Sequence, residues 1–449
     1  MAERVDLVDW TELYAGHFEE WSRRFTGACS ARNVDGIVVF SGAQKRRFRD
    51  DGGYPFYAEP YFKAWIPQSL PNAALKIRPG ETPLLVYVHR ADYWHASPEA
   101  PEGFWTEHFE IRCVDSPATL LDELGMPLPR SAALGEDADA SMEFASVNEP
   151  ELLRHLDFYR AFKTPFEVAC IEEANRLSAA GHAATREALA EAPSRQSEFS
   201  LNQIYCTATR QREAELPYQS IVALNEHAST LHYQNLDREP PEEFRSFLLD
   251  AGAECNGYAA DVTRTLSSGA DTFDALIASM DGLQKRLCAG TRNGVSFVRL
   301  NDFAHQLLAD VLEENGVVSC GAEECYSRGI TRTFLPHGLG HLLGLQVHDP
   351  GGHLHAPEGA DATPPEDHPF LRLTRTLEPG FVVTIEPGLY LIPSLLERLR
   401  NDPAGKVIDW GRVESLMPFG GIRIEDDVLV TDAESRNLSR PALLASGVS

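Results

Sequence analysis

The sequence predicts an α+β protein of two domains, a small α/β domain over residues 1–164 and a larger α+β domain over 165–449. Three observations carry this expectation. The 449 residues exceed what one hydrophobic core ordinarily supports. Short apolar runs between turns mark the first third, whereas long helical patterns and paired strand-like runs fill the remainder. Pro165 interrupts an otherwise continuous helical stretch between the two regions.

Taken in order, helical periodicity around 10–33 leads into the strand-like runs GIVVF (36–40), TPLLVYV (82–88) and SAALGED (131–137). Between the first two lies DDGGYPFYAEPYFKAWIP (50–67), dense in Gly, Pro and aromatics, which reads as an ordered surface segment of the kind that makes interfaces. From Glu149 the pattern turns helical, and the domain boundary is placed near Pro165. Beyond residue 215, SFLLDAG, GYAADVTRTL, GFVVTIEPGLYL and GGIRIEDDVLV read as strands, with helical stretches near 271–291 and 301–315. The acidic, proline-rich HAPEGADATPPEDHP (355–369) reads as a solvent-exposed insertion.

Forty Lys and Arg against 67 Asp and Glu give a formal charge of -27, which repels a phosphate backbone and disfavours nucleic acid or an anionic membrane as partner. With 43% hydrophobic and 24% charged residues the composition is that of a globular protein. The eight dispersed cysteines lack zinc-site spacing and read as reduced thiols of a cytoplasmic protein. MAERVDLVDWTELY lacks a signal pattern, and no apolar run approaches the roughly 20 residues a membrane helix needs.

The chemistry concentrates in four stretches. In SFLLDAGAECNGYAADVTRT a strand ends at Asp250 and a hairpin of this length returns Asp261 to face it. Two acids in apolar surroundings require a counter-charge, and a cation supplies one. FLPHGLGHLLGLQVHDPGGH carries His337, His341 and His348; if it is helical, four-residue spacing stacks the first two on one face. GFVVTIEPGLYL and PFGGIRIEDDVLV each bring a glutamate, Glu386 and Glu425, to a strand end. Alternation turns Arg423 and Glu425 to the same face, where an ion pair between them is the plain structural alternative. Four carboxylates and one imidazole form an oxygen-rich, thiolate-free set suited to manganese, cobalt, magnesium or zinc. Four carboxylates are too many for one small ion, but two ions roughly 3.5–4 Å apart can share them and activate a water for hydrolysis.

At these residues the sequence resembles the pita-bread metallopeptidases, most closely the bacterial Xaa-Pro dipeptidases (prolidases) and the organophosphorus acid anhydrolases. HYQ (232–234), LLDAGAECNGYAADVTRT (248–265), PHGLGHLLGLQVHD (336–349), LRLTR (371–375), TIEPGLY (384–390) and PFGGIRIEDDVLV (418–430) carry the resemblance, with the aromatic segment of the first third. It implies a C-terminal pita-bread domain and two divalent ions, in the first place Mn2+. Asp261 and Glu425 would bridge both ions, Asp250 and Glu425 would complete one shell, and His341 and Glu386 the other. A shared hydroxide would attack the scissile carbonyl and pass its proton to Glu386.

The resemblance further implies that His348 and His232 orient the substrate and stabilise the oxyanion, with His337 lining the same pocket. Arg375 matches the arginine that binds the prolyl carboxylate. Tyr218 and Arg423 would hold metal-ligating carboxylates. Asp51, with Asp50 as its rival, matches an acid that reaches from the partner subunit of a homodimer to the free amine of the dipeptide. Phosphotriester hydrolysis is implied as a side activity. An aminopeptidase acting on longer Xaa-Pro peptides is the nearest alternative, and a binding module that has lost its ligands is one of another class; all five ligand positions here carry competent side chains.

Overall fold

The computed structural model describes residues 8–89, 93–94, 100–269 and 271–448; residues 1–7, read above for a signal pattern, lie outside them. The chain divides into two compact units, Met1–Cys170 with Ala356–Ala360, and Ile171–His355 with Asp361–Ser449. The division falls inside the helix Pro165–Glu191. That helix starts at Pro165 because proline suits a first helical position, and Thr164 and Glu167 cap each other: the Thr164 amide donates to Glu167 Oε2 at 2.8 Å and the Glu167 amide to Thr164 Oγ1 at 3.3 Å.

In the first unit a six-stranded mixed sheet runs Glu110–Val114, Leu84–Val88, Ala73–Ile77, Gly36–Phe40, Ser131–Leu134, Ser146–Val147. Ala73–Ile77, passed over in the sequence, pairs antiparallel with strands on both sides. Its AALKI composition has weak strand propensity, and two partners supply what propensity does not. The helix Trp10–Arg32 is capped by Asp9, whose carboxylate accepts from the amides of Thr11 and Glu12, and ends on Asn33 at φ 53°. It buries Tyr14, Trp21 and Phe25, which make edge contacts with Phe166 and Trp65.

The second unit packs long helices against small antiparallel sheets. Strands Thr263–Ser267, Ser246–Asp250 and Ile221–Leu224 form one sheet; Val382–Ile385, Asp426–Leu429 and Arg436–Asn437 form another; Gly388–Tyr390 pairs with Gly421–Arg423. The helix Phe297–Glu314 begins four residues before the expected stretch, its first amide donating to the Arg375 carbonyl at 3.1 Å. Phe297, Leu300, Ala304, Leu307, Leu308 and Val311 bury one face at helical spacing.

Three expected strands are broken, and each break carries an acid. GYAADVTRTL divides into Tyr258–Ala259 and Thr263–Ser267 around Asp261, GFVVTIEPGLYL into Val382–Ile385 and Gly388–Tyr390 around Glu386, and GGIRIEDDVLV into Gly421–Arg423 and Asp426–Leu429 around Glu425. An interrupted ladder bends the chain and re-aims a side chain that regular alternation would commit to a face.

Behind Glu425 a buried charge network clamps the strands together. Arg264 donates to Asp426 Oδ1 at 2.6 Å and to the Glu425 carbonyl at 2.8 Å, while Arg440, Gln284 and Asn437 all converge on Asp426 Oδ2 within 3.0 Å. Burial alone would raise the Asp426 pKa, but Arg264 and Arg440 outweigh it and hold the carboxyl at about 2. A pKa depressed on folding gives stability that is present above the unfolded value of about 3.9 and lost as pH falls through the folded one. Asp426→Asn, which removes the countercharge of the buried Arg264 and one partner of the half-buried Arg440, is expected to cost about 3 kcal/mol at pH 7 in denaturant unfolding. The loss should shrink at pH 2.5.

No helix among the described residues is long and apolar enough to cross a membrane, and all eight cysteines are free thiols. The segment 355–369 holds no helix or strand and is largely exposed.

Candidate metal centre

Asp250 ends its strand paired with Thr263 across the hairpin, and Asp261 lies two residues before that pair. A single hydroxyl, that of Tyr218, stands 2.8 Å from Asp250 Oδ1 and 2.6 Å from Asp261 Oδ1. Arg423 donates to Asp250 Oδ2 at 2.5 Å, to the Tyr390 hydroxyl at 3.0 Å and to Thr263 Oγ1 at 3.2 Å. Thr263 in turn donates to Glu425 Oε2 at 2.6 Å. Arg423 thus reaches Glu425 through Thr263, and its recorded ion pair is with Asp250.

The histidine segment is irregular rather than helical, so helical stacking does not place His337 and His341. Residues 339–343 run beside Val382–Ile385: the Glu386 amide donates to the Leu339 carbonyl at 2.9 Å and the Thr384 amide to the His341 carbonyl at 3.0 Å. Gly340 makes this approach feasible, because a Cβ there would lie 2.0 Å from the Thr384 carbonyl oxygen.

His341 Nδ1 lies 3.0 Å from the Leu342 carbonyl, which can only accept, so this nitrogen carries the proton. Burial lowers the His341 pKa, leaving the ring neutral with a lone pair on Nε2. That lone pair lies 3.5 Å from both Asp261 Oδ2 and Glu386 Oε1. Acceptors facing acceptors call for a cation among them.

The carboxylates say the same. Burial, then Asp250, raises the Asp261 pKa well above its ordinary range; burial, then Asp261 and Glu386, raises that of Glu425; burial raises Glu386 to about 7. Without a counter-ion these acids retain protons, and divalent cations relieve burial and repulsion together. Ligand atoms of Asp261, His341 and Glu425 lie within 4.8 Å of one another. The donor set therefore fits hard divalent ions, with Asp250, Asp261, His341, Glu386 and Glu425 available to hold them.

These side chains line one cavity of about 510 Å³ together with Tyr218, His232, His337, His348, Arg372 and Arg423. His348 packs edge-on against His341 with ring centroids 4.4 Å apart, and burial with neighbouring His341 and Arg372 lowers its pKa to about 3. His337 Nδ1 faces the Gly338 carbonyl at 2.7 Å and Nε2 the Tyr390 hydroxyl at 2.8 Å. Burial, assisted by Arg423, lowers its pKa to about 4. Both rings are neutral hydrogen-bonding groups at pH 7.

Arg375 is a correction. Its guanidinium lies 4.6 Å from the Phe381 ring centroid and 3.4 Å from Glu378 Oε1, and it does not line this cavity, whereas Arg372 does. Leu371 and Leu373 are buried and Arg372 between them is exposed. An extended chain turns odd offsets to opposite faces, so a slip of three residues reverses the direction of the arginine. The LRL alternation was the signal that could have found it. Asp50 and Asp51 sit exposed on a turn of the first unit, where Asp50 Oδ1 accepts the Gly52 amide at 3.1 Å. Gln219, Leu231, Gln234, Val347 and Phe370 also line the cavity, and residue type alone gave no sign of them.

Comparison with known proteins bears on the family and the fold. Residues 169–432 match metallopeptidase family M24, and residues 12–158 match the N-terminal domain of Xaa-Pro dipeptidases. The Xaa-Pro dipeptidase of Stenotrophomonas maltophilia (strain K279a) is 43% identical over 97% of this chain and 98% of its own. That of Shewanella amazonensis is 42% identical over 95% and 98%. Among solved structures, Pseudomonas aeruginosa aminopeptidase PepP superposes with a TM-score of 0.72 over 96% of this chain and 98% of its own, at 20% identity. The low-pH form of Escherichia coli aminopeptidase P gives 0.71 over 96% and 99%, at 21% identity. At these identities the structures establish the pita-bread fold.

Proposed function

This chain belongs to metallopeptidase family M24, and from that premise we propose that it hydrolyses Xaa-Pro dipeptides to a free amino acid and proline. The carrying observation is a single cavity that holds both the buried Asp261, His341 and Glu425 cluster and the guanidinium of Arg372. Two divalent ions, in our reading Mn2+, would supply Lewis acidity and a water nucleophile active near neutral pH.

The residues of the chain do the rest. Arg372 offers the prolyl carboxylate a planar, bidentate partner. His232 and His348 orient the scissile amide and donate to the oxygen on which charge develops. Glu386, on the cavity wall between His341 and His337, takes the proton of the attacking water and returns it to the departing prolyl nitrogen. Tyr218, Thr263 and Arg423 hold the carboxylates in place. The working unit in this reading is a cytoplasmic homodimer in which Asp51 of a second copy meets the free amine of the substrate. A phosphotriester presents a tetrahedral centre to the same groups, and slow hydrolysis of such esters belongs to the proposal.

A substrate length series tests it. Ion-loaded protein should cleave Ala-Pro at least about 100-fold faster than Ala-Pro-Ala-Ala, because the tetrapeptide leaves Arg372 without its carboxylate. Equal turnover of the two would identify an aminopeptidase instead.

A further inference from the structure

The segment Asn225–Asp237 contributes Leu231, His232 and Gln234 to the cavity, yet its only regular structure is a short helical turn at Asn225–Ser229. Such a segment keeps a side chain in one place only if something offsets the entropy of its backbone. Glu198, the first residue of the helix Glu198–Thr209, is 1% exposed. Its Oε1 accepts the Leu224 amide at 2.9 Å and lies 2.7 Å from His227 Nδ1. Its Oε2 accepts the Tyr233 hydroxyl at 2.7 Å and the Asp237 amide at 2.8 Å. The His227 ring stacks on Tyr233, with centroids 4.5 Å apart and planes 20° from parallel.

The two sets of residues interleave. His227, Tyr233 and Asp237 turn back to the carboxylate, while Leu231, His232 and Gln234 turn forward to the cavity. A carboxylate can accept at all four sites without donating, which no other side chain of this size does. The ligand atoms of Glu198, His227 and Asp237 also lie within 4.8 Å of one another, but each Glu198 oxygen already has two partners, which leaves no lone pair for a cation.

We propose that Glu198 is a positioning residue for His232: by gathering both ends and the middle of the segment onto one buried carboxylate, it fixes the imidazole in the cavity. The inference rests on the dipeptidase reading for the role of His232, and on geometry alone for the anchoring. In the full-length, ion-loaded protein, Glu198→Gln places a donor against two donors. It should lower kcat on Ala-Pro about 10- to 100-fold with bound ions unchanged, the scale of a misplaced catalytic group. In a His232→Ala background the same change should cost less than about twofold, because the two act through one group. Amide hydrogen exchange across 225–237 should rise at least about tenfold, with the helix 271–290 unaffected.

Tyr233→Phe, which removes one donor and adds none, should move kcat and exchange in the same direction by less, and it stands as the test if the first variant fails to fold. Additive losses in the double variant, or exchange that rises uniformly across the unit, would overturn the positioning role. If the wild-type protein leaves Xaa-Pro dipeptides intact, the dipeptidase reading fails, and the exchange experiment alone then decides whether Glu198 anchors the segment.

Discussion

Asp261→Asn is expected to lower kcat on Xaa-Pro dipeptides at least about 1,000-fold while leaving the metal-free protein no less stable than the parent. The rate loss corresponds to about 4 kcal/mol of barrier at 1.36 kcal/mol per tenfold, the scale of charge stabilisation that divalent ions bring to a developing oxyanion. Stability follows from different terms. Asp261 is 6% exposed and its pKa is raised first by burial and then by the charge of Asp250, so the ionised form is a burden to the ion-free fold. Asparagine keeps the oxygen that faces Tyr218 and the backbone amide that donates to Asp427, and removes the repulsion. Steady-state kinetics with ion analysis, beside a thermal melt of chelated protein, measures both. Turnover within tenfold of the parent would remove Asp261 from the metal centre.

The second large effect separates two arginines three residues apart. Arg372→Ala should raise KM for Ala-Pro about 10- to 100-fold, the 1.5–3 kcal/mol typical of a hydrogen bond to a charged group. On the dipeptide amide, which lacks the carboxylate, parent and variant should converge. Arg375→Ala should leave KM within about threefold and instead lower stability by about 1–3 kcal/mol, because the side chain packs over Phe381 and beside Glu378 away from the cavity. The reverse pattern, with KM following Arg375, would restore the sequence-based assignment.

The two arginines also mark the limit of what could be read. Both stand in LRLTR, both suit a carboxylate, and only the burial of Leu371 and Leu373 tells which one faces the cavity. Arg423 was expected to hold a metal-ligating carboxylate, with an ion pair to Glu425 as the plain alternative; it donates to Asp250, and Thr263 stands between it and Glu425. Helical spacing would stack His337 and His341 only in a helix, and an irregular segment pinned to Val382–Ile385 relates them instead.

The sequence by itself determined the α+β composition, much of the helix and strand pattern though neither Ala73–Ile77 nor the three strand breaks, and an oxygen-rich donor set suited to hard divalent ions, since residue type settles which atoms can hold a cation and which cannot. Tertiary structure alone decided how those atoms meet. Asp261, Glu386 and Glu425 converge because three strands break where pairing partners change. His341 offers Nε2 because the Leu342 carbonyl claims the proton of Nδ1. Such choices depend on hydrogen bonds between segments far apart in sequence, 173 residues between Asp250 and Arg423 and 162 between Thr263 and Glu425, and local propensity carries no information about partners so distant.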